Sequence, residues 1–121
     1  QYAHARCASV MRKAAATAEG LTPEAGLNHL SMLNEPETMA LEISLGRFPE
    51  VVATAAARLE PHGVANYLRE LAADLHSFYN AHKILEAAPE TASARLALVA
   101  ATRQVIANGL GLLGVAAPES M

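Results

Sequence analysis

The sequence has few of the residues that build disulfide scaffolds or aromatic cores. Its 121 residues include one cysteine, no tryptophan, two phenylalanines and three tyrosines. The single cysteine, Cys7, excludes an internal disulfide and any zinc site built from several cysteines. One free thiol fits a reducing compartment, and we expect a cytoplasmic protein with Cys7 as a small buried core residue.

Long apolar runs are absent as well. The longest uncharged apolar run, near 105–117, contains Asn108 and three glycines, so it is too short and too interrupted to span a bilayer. The formal net charge is −3, which argues against non-specific wrapping of DNA, although a local basic patch can still bind a phosphate backbone. We therefore expect neither a membrane nor DNA as a partner.

Motifs that carry catalytic or metal chemistry are also missing. The sequence contains no HExxH, no paired Glu-x-x-His motif, no GxSxG and no P-loop, which are the spacings that the corresponding chemistry requires. The glycine pattern GLGLLG at 109–114 falls in the apolar end of a predicted helix rather than after a strand, so a phosphate-binding role fails on context. We predict no catalytic residue, no metal site and no cofactor in this chain.

The sequence is rich in alanine and leucine, and this composition favours helices over strands. Apolar residues make up 52% of the chain and charged residues 17%. The predicted fold class is all-α, a single-domain bundle of about five helices covering residues 1–121. The helices are predicted at 2–18, 34–46 with Asn34 as the cap, 49–59, 64–86 and 92–113. Residues 21–33 are predicted to form a loop that can hold one short turn.

Two of these helices have apolar patterns that place them in the core. The fourth has a seam in alternating steps of three and four, formed by Val64, Leu68, Leu71, Leu75, Phe78, His82 and Leu85. The last has one stripe at Leu96, Val99, Ile106, Leu110 and Leu113 and another at Leu98, Val105 and Leu112. A helix that is apolar on two sides belongs in the middle of a bundle.

The first helix separates its polar and apolar residues. At about 100° per residue, one face carries Tyr2, Arg6, Ser9 and Lys13. The opposite side is apolar, with Ala3, Cys7, Val10, Met11, Ala14 and Ala18. Three cations, including Arg12, precede the first acidic residue, Glu19. The positive charge of this helix is therefore local and directional within a mildly acidic chain.

Four stretches of the chain resemble one family, in the same order. They are QYAHAR at 1–6, FPEVV at 48–52, PHGVANYLRELAADLHSFYN at 61–80 and ARLALVAATRQVIANGLGLLGVAAPESM at 94–121. They are spread from residue 1 to residue 121 and are similar to the C-terminal part of class I arginyl-tRNA synthetases. The chain is therefore identified as a DALR-type anticodon-binding domain of such an enzyme.

The resemblance implies an all-helical bundle that holds the anticodon stem-loop of tRNA-Arg and packs against a catalytic domain. That domain, which uses ATP with Mg for arginylation, would precede Gln1, so this fragment alone would be non-catalytic. In the family, an aromatic on the first helix, a tyrosine in the SFYN-like segment and the C-terminal methionine lie at the anticodon pocket. These positions are Tyr2, Tyr79 and Met121 here. The chain ends in Ser120-Met121, where the family usually has Arg-Met.

The chemistry of these residues agrees with RNA recognition. Proteins read unpaired loop bases by stacking them on aromatic planes and by hydrogen bonds to their edges, which the two tyrosines and the amide of Asn80 can supply. The cations of the first helix can contact phosphates, which fixes position rather than sequence. The predicted RNA-binding residues are Tyr2, Arg6, Arg12, Lys13, Tyr79, Asn80 and Met121.

Structural roles for the same residues are also open. Tyr79 follows Phe78 and can pack at the rim of the core, Arg6 can pair with an acid from another helix, and Arg103 is predicted to be a paired structural arginine. Three histidines are predicted to be partly buried with local hydrogen bonds: His4, His76 and His82. The alternative for the whole chain is a helical protein-interaction module with no RNA role.

Overall fold

The computed structural model describes residues 2–16 and 22–114, and every regular element in them is helical. Five long α-helices are joined by one very short α-helix and a 3₁₀ helix. The elements are α1 (Tyr2–Ala15), α2 (Pro23–Gly26), the 3₁₀ helix (Leu27–Met32), α3 (Pro36–Gly46), α4 (Phe48–Arg58), α5 (His62–Ala81) and α6 (Pro89–Leu112). The predicted all-α bundle is confirmed.

Helix α6 lies in the middle of the bundle. It packs against α1, α2, the 3₁₀ helix, α3 and α5. Both of its apolar stripes contribute buried side chains, with Leu96, Val99 and Ile106 from one and Leu98 from the other. The prediction that this helix is central is confirmed, although Leu112, at the end of the second stripe, is exposed.

Helix α5 supplies the other main part of the core and ends earlier than predicted. Its seam is buried from Val64 through Leu68, Leu71, Leu75 and Phe78. The prediction that the helix continues to residue 86 is wrong, because the chain leaves the helix at His82 with an extended backbone at φ −133° and ψ 128°. This departure allows Ile84, which is 5% exposed, to turn into the core.

The segment predicted as a loop at 21–33 forms α2 and the 3₁₀ helix instead. Thr22 caps α2 by accepting a hydrogen bond from the backbone N–H of Ala25 at 3.3 Å, and Pro23 opens the helix. Gly26 then packs against the backbone of α6. A Cβ at this position would lie 1.8 Å from the carbonyl oxygen of Ser93, so only glycine permits the approach.

Helix starts differ from the predicted boundaries by one to three residues. The cap of α3 is Glu35 rather than Asn34, and α4 begins at Phe48, one residue before the predicted start. Helix α6 begins at Pro89 rather than at residue 92, because proline is well suited to the first turn of a helix. Helix α1 ends at Ala15, and residues 17–18 of its predicted extent lie outside the described residues.

Membrane spans and metal-binding clusters are both absent from residues 2–16 and 22–114. In these ranges no helix has the length and hydropathy that crossing a bilayer requires. No group of three or more histidine, cysteine, aspartate or glutamate side chains in them is arranged to hold a metal ion.

Candidate nucleic-acid interface

Side chains from α1 and α5 converge on the guanidinium of Arg6. Its Nη2 donates a hydrogen bond to the hydroxyl oxygen of Tyr2 at 2.9 Å, and its Nη1 donates to Nδ1 of His76 at 3.1 Å. The guanidinium carbon lies 4.3 Å from the centroid of the Tyr79 ring and 5.1 Å from that of Tyr2. We call these four residues, Tyr2, Arg6, His76 and Tyr79, the Arg6 cluster.

Helical spacing explains why the cluster forms. Tyr2 and Arg6 are four residues apart on α1, and His76 and Tyr79 are three apart on α5, so each pair shares one face of its helix. Helices α1 and α5 pack against each other, which brings the two faces together. The predicted common face of Tyr2 and Arg6 is confirmed by their hydrogen bond.

The contacts of the Arg6 guanidinium within the cluster are all with neutral groups. The contacts of Arg6 are with a phenol hydroxyl, an imidazole and two aromatic rings. The interpretation of Arg6 as half of an ion pair finds no carboxylate partner among the residues that the structure describes. A half-buried guanidinium without a counter-charge keeps its attraction for an anion, such as a phosphate, that approaches the surface.

The two tyrosines of the cluster differ in exposure. Tyr2 is 54% exposed, whereas Tyr79 is half-buried and packs against the core. The prediction of rim packing for Tyr79 is therefore confirmed as one of its roles. This role does not exclude RNA contact, because a large aromatic ring can pack with one part and remain accessible with another.

Lys13 and Tyr79 both line an open cleft of about 260 Å³. The cleft runs between α1 and the segment that follows α5. Its other lining residues are Val10, His82, Lys83, Ile84, Leu85 and Glu86. The structure therefore places a second predicted cation on the same cleft as Tyr79, and it adds Lys83, which sequence analysis did not single out.

Two other predicted residues are not members of the Arg6 cluster. Arg12, in the last turn of α1, and Asn80, the neighbour of Tyr79, are both exposed. Met121 lies outside the described residues. The structure thus joins three of the seven predicted residues, Tyr2, Arg6 and Tyr79, in direct contact.

His76 is the member of the cluster that sequence reasoning did not include in the site. The prediction that it is partly buried is confirmed, but its hydrogen bond is to Arg6 on another helix and is not a local one. Burial first, and the nearby Arg6 charge second, lower the pKa of its imidazole. Its position one helical turn before Tyr79 was the available signal, since residues three apart on a helix face the same way.

Two further residues of this region have structural roles. Cys7 is completely buried, and desolvation raises the pKa of its thiol to about 12 despite the opposing charges of Arg103 and Arg6. The prediction of a small buried core residue is confirmed, and burial of this kind makes a thiol unreactive. Arg103 is half-buried on α6, and its Nη1 lies 3.8 Å from the sulfur of Met11 on α1.

The fold is a helical bundle that presents aromatic rings and cations along one pair of helices, and such side chains contact single-stranded nucleic acid in other proteins. Comparison with known families agrees. The family described as the DALR anticodon binding domain matches residues 1–121, the whole chain. The chain belongs to this family, and the resemblance inferred from its four stretches is confirmed.

The individual relatives are arginine–tRNA ligases. The arginine–tRNA ligase of Thioalkalivibrio sulfidiphilus is 53% identical over 121 residues, which are all of this chain and 21% of that protein. The arginine–tRNA ligase of Burkholderia mallei is 51% identical over 126 residues, which cover all of this chain and 20% of that protein.

A solved structure shows the same fold. The arginyl-tRNA synthetase of Thermus thermophilus superposes with a TM-score of 0.83 at 38% identity, over 99% of this chain and 20% of that chain. The chain spans about a fifth of the length of the proteins that it matches.

Proposed function

We propose that this chain is the anticodon-binding domain of an arginyl-tRNA synthetase and that it holds the anticodon stem-loop of tRNA-Arg. The Arg6 cluster carries the proposal, because it places two tyrosine rings around one cation in a member of an anticodon-binding family. The names of the relatives support tRNA-Arg as the RNA. ATP-dependent arginylation, with its Mg, belongs in this proposal to the remainder of a cytoplasmic parent enzyme, against whose catalytic domain this bundle packs.

Each group of residues has a distinct task in binding. The rings of Tyr2 and Tyr79 stack on unpaired loop bases, which contributes about 1–3 kcal/mol per base. Arg6, Arg12 and Lys13 contact phosphates and fix the position of the loop. The last two residues of the proposed site act on bases: Asn80 reads an edge through its amide, and Met121 provides an apolar contact. The domain does no chemistry itself but orients the tRNA, which is how binding far from a reacting group assists a reaction.

Substitution of Tyr79 tests the stacking surface. Tyr79→Ala removes the ring and is expected to weaken binding of a tRNA-Arg transcript by about tenfold, since one stacked base contributes about that much. Tyr79→Phe keeps the ring and is the matched control, with affinity expected within about threefold of the original chain. Fluorescence anisotropy measures the affinity, and circular dichroism confirms that each variant is helical.

The result that contradicts the proposal is a helical Tyr79→Ala variant that binds the transcript as tightly as the original chain. If Tyr79→Ala fails to fold, Tyr2→Ala replaces it, because Tyr2 is more than half exposed and its truncation leaves the core intact. Unchanged affinity in that variant would count equally against the stacking surface.

A further inference from the structure

His76 contacts both α1 members of the Arg6 cluster. Its Nδ1 accepts the hydrogen bond from Arg6 at 3.1 Å, and its ring centroid lies 5.4 Å from that of Tyr2 with 58° between the planes. Arg6 is therefore directed by two hydrogen bonds, one to Tyr2 and one to His76, while the Tyr79 ring faces its guanidinium. Of these two bonds, the one to His76 connects Arg6 to a different helix.

The bond to Arg6 determines the protonation state of the imidazole. A guanidinium has only donors and stays protonated, so His76 Nδ1 has to be the acceptor. Acceptance requires a neutral ring with its proton on Nε2, because a protonated ring has no acceptor and would place a second cation beside Arg6. Burial and the Arg6 charge both lower the pKa of His76 and so favour the neutral form.

We propose that His76 is a positioning residue for RNA binding, whose neutral imidazole holds the Arg6 guanidinium between the rings of Tyr2 and Tyr79. The inference rests on the proposed function, since it assigns a role within the same site. Without an acceptor at residue 76, Arg6 loses its hydrogen bond to α5, keeps only the contact with the Tyr79 ring there, and gains rotamer freedom. Ordering it again when RNA binds lowers the affinity.

Within the Arg6 cluster, His76 has neighbours on both α1 and α5. Arg6 and Tyr2 approach from α1, and Tyr79 lies one turn further along its own helix. Arg6 is the charged group that perturbs His76. A change at residue 76 is therefore expected to act on RNA binding through Arg6.

Two substitutions separate positioning from helix stability. His76→Asn places its Oδ1 where Nδ1 was and keeps an acceptor for Arg6, whereas His76→Leu has similar bulk and no acceptor. Leucine is the better helix former, so stability alone favours His76→Leu. If His76 positions Arg6, however, the His76→Asn variant of the 121-residue chain binds a tRNA-Arg transcript more tightly than the His76→Leu variant does.

The expected affinities follow from the loss of one hydrogen bond. His76→Leu is expected to bind about three- to tenfold more weakly than the original chain, and His76→Asn within about twofold of it. If Tyr79→Ala weakens binding but His76→Leu does not, the positioning role is overturned and the proposed function stands. If the original chain does not bind the transcript, the proposed function fails, and this inference fails with it.

A spectroscopic measurement tests the same role without any variant. Long-range ¹H–¹⁵N spectra of the histidine-labelled chain at about pH 7.5 report which ring nitrogen carries the proton. The expected result for His76 is an unprotonated Nδ1 and a protonated Nε2. A proton on Nδ1 would overturn the inference, because that nitrogen could not then accept from Arg6.

Discussion

The guanidinium carbon of Arg6 lies 4.3 Å from the centroid of the Tyr79 ring, so a cation of α1 rests against an aromatic plane of α5. Such a contact stabilises by about 0.5–1 kcal/mol at an exposed site and more when it is desolvated. It also joins the two helices that carry most of the proposed site. Arg6 therefore affects both the fold and RNA binding, and its substitution is expected to change both.

Replacement of Arg6 by lysine tests this double role. Arg6→Lys keeps the charge but loses the planar donors that reach Tyr2 and His76 together, so the free energy of unfolding is expected to fall by about 1–2 kcal/mol. Affinity for a tRNA-Arg transcript is expected to fall by about tenfold. Urea unfolding and fluorescence anisotropy measure the two effects. Arg12→Lys, at an exposed position of the same helix, is the control, and equal effects in both variants would contradict the role of Arg6.

Salt dependence tests the phosphate contacts of Arg12 and Lys13. Each cation that neutralises a phosphate contributes about 0.7–0.9 to the slope of log affinity against log salt concentration, so Arg12→Gln and Lys13→Gln are each expected to reduce the slope by that amount. Arg58→Gln is the control, since Arg58 is exposed at the end of α4, which packs against α3 and α5. A slope that is unchanged in all three variants would favour the alternative of a protein-interaction module.

The pH dependence of stability tests the environment of His76. The pKa of His76 is lower in the folded chain than its usual value of about 6.5. As the pH falls below about 6.5, the unfolded chain therefore binds more protons than the folded chain does. The contribution of His76 to the free energy of unfolding is therefore complete above about pH 6.5 and is lost progressively below it. Urea unfolding at a series of pH values measures the loss, and His76→Asn removes it. Identical pH profiles for the two proteins would contradict the shifted pKa.

The contact between α2 and α6 is tested at Gly26. Gly26→Ala places a methyl group 1.8 Å from the carbonyl oxygen of Ser93, which is backbone and cannot move aside easily. The free energy of unfolding is expected to fall by at least about 2 kcal/mol. Gly46→Ala is the matched control, because a Cβ added at Gly46 has no neighbouring atom within 4 Å and alanine is the better helix former. Similar stabilities of the two variants would show that α2 does not pack as described.

The periodic parts of the fold were predictable from the sequence, whereas helix ends were not. The seam from Val64 to Phe78 identified α5 because burial repeats every three or four residues along a helix. The same pattern continues to Leu85, yet the helix ends at Ala81, since burial of Ile84 by an extended segment competes with further helix. The periodicity of apolar residues alone does not predict where an extended segment replaces a helix.

The short elements before α3 show a second limit. Thr22 followed by Pro23 is a helix-start signal, but the glycine, asparagine and proline residues around it favour a loop. The close approach of Gly26 to α6 depends on where α6 lies, which only the packed structure shows. Local propensity therefore predicts an interruption between two long helices, but it does not predict the short helices that form there.

The candidate site divides in the same way. Tyr2 and Arg6 share a face by helical geometry alone, so their pairing followed from spacing. The contacts of Arg6 with Tyr79 and His76 join distant parts of the sequence, and no spacing rule connects them. Resemblance to a family supplied Tyr79, whereas the contact of His76 with Arg6 is visible only in the structure.

Discrimination between anticodons is the property that most directly separates this function from general RNA binding. The affinity of the 121-residue chain is measured for a tRNA-Arg transcript and for the same transcript with its three anticodon bases replaced. Stacking and base-edge contacts at Tyr2, Tyr79 and Asn80 predict at least about tenfold weaker binding of the replaced transcript, because unpaired loop bases are what such residues read. Equal affinity for the two transcripts would contradict anticodon recognition by this chain.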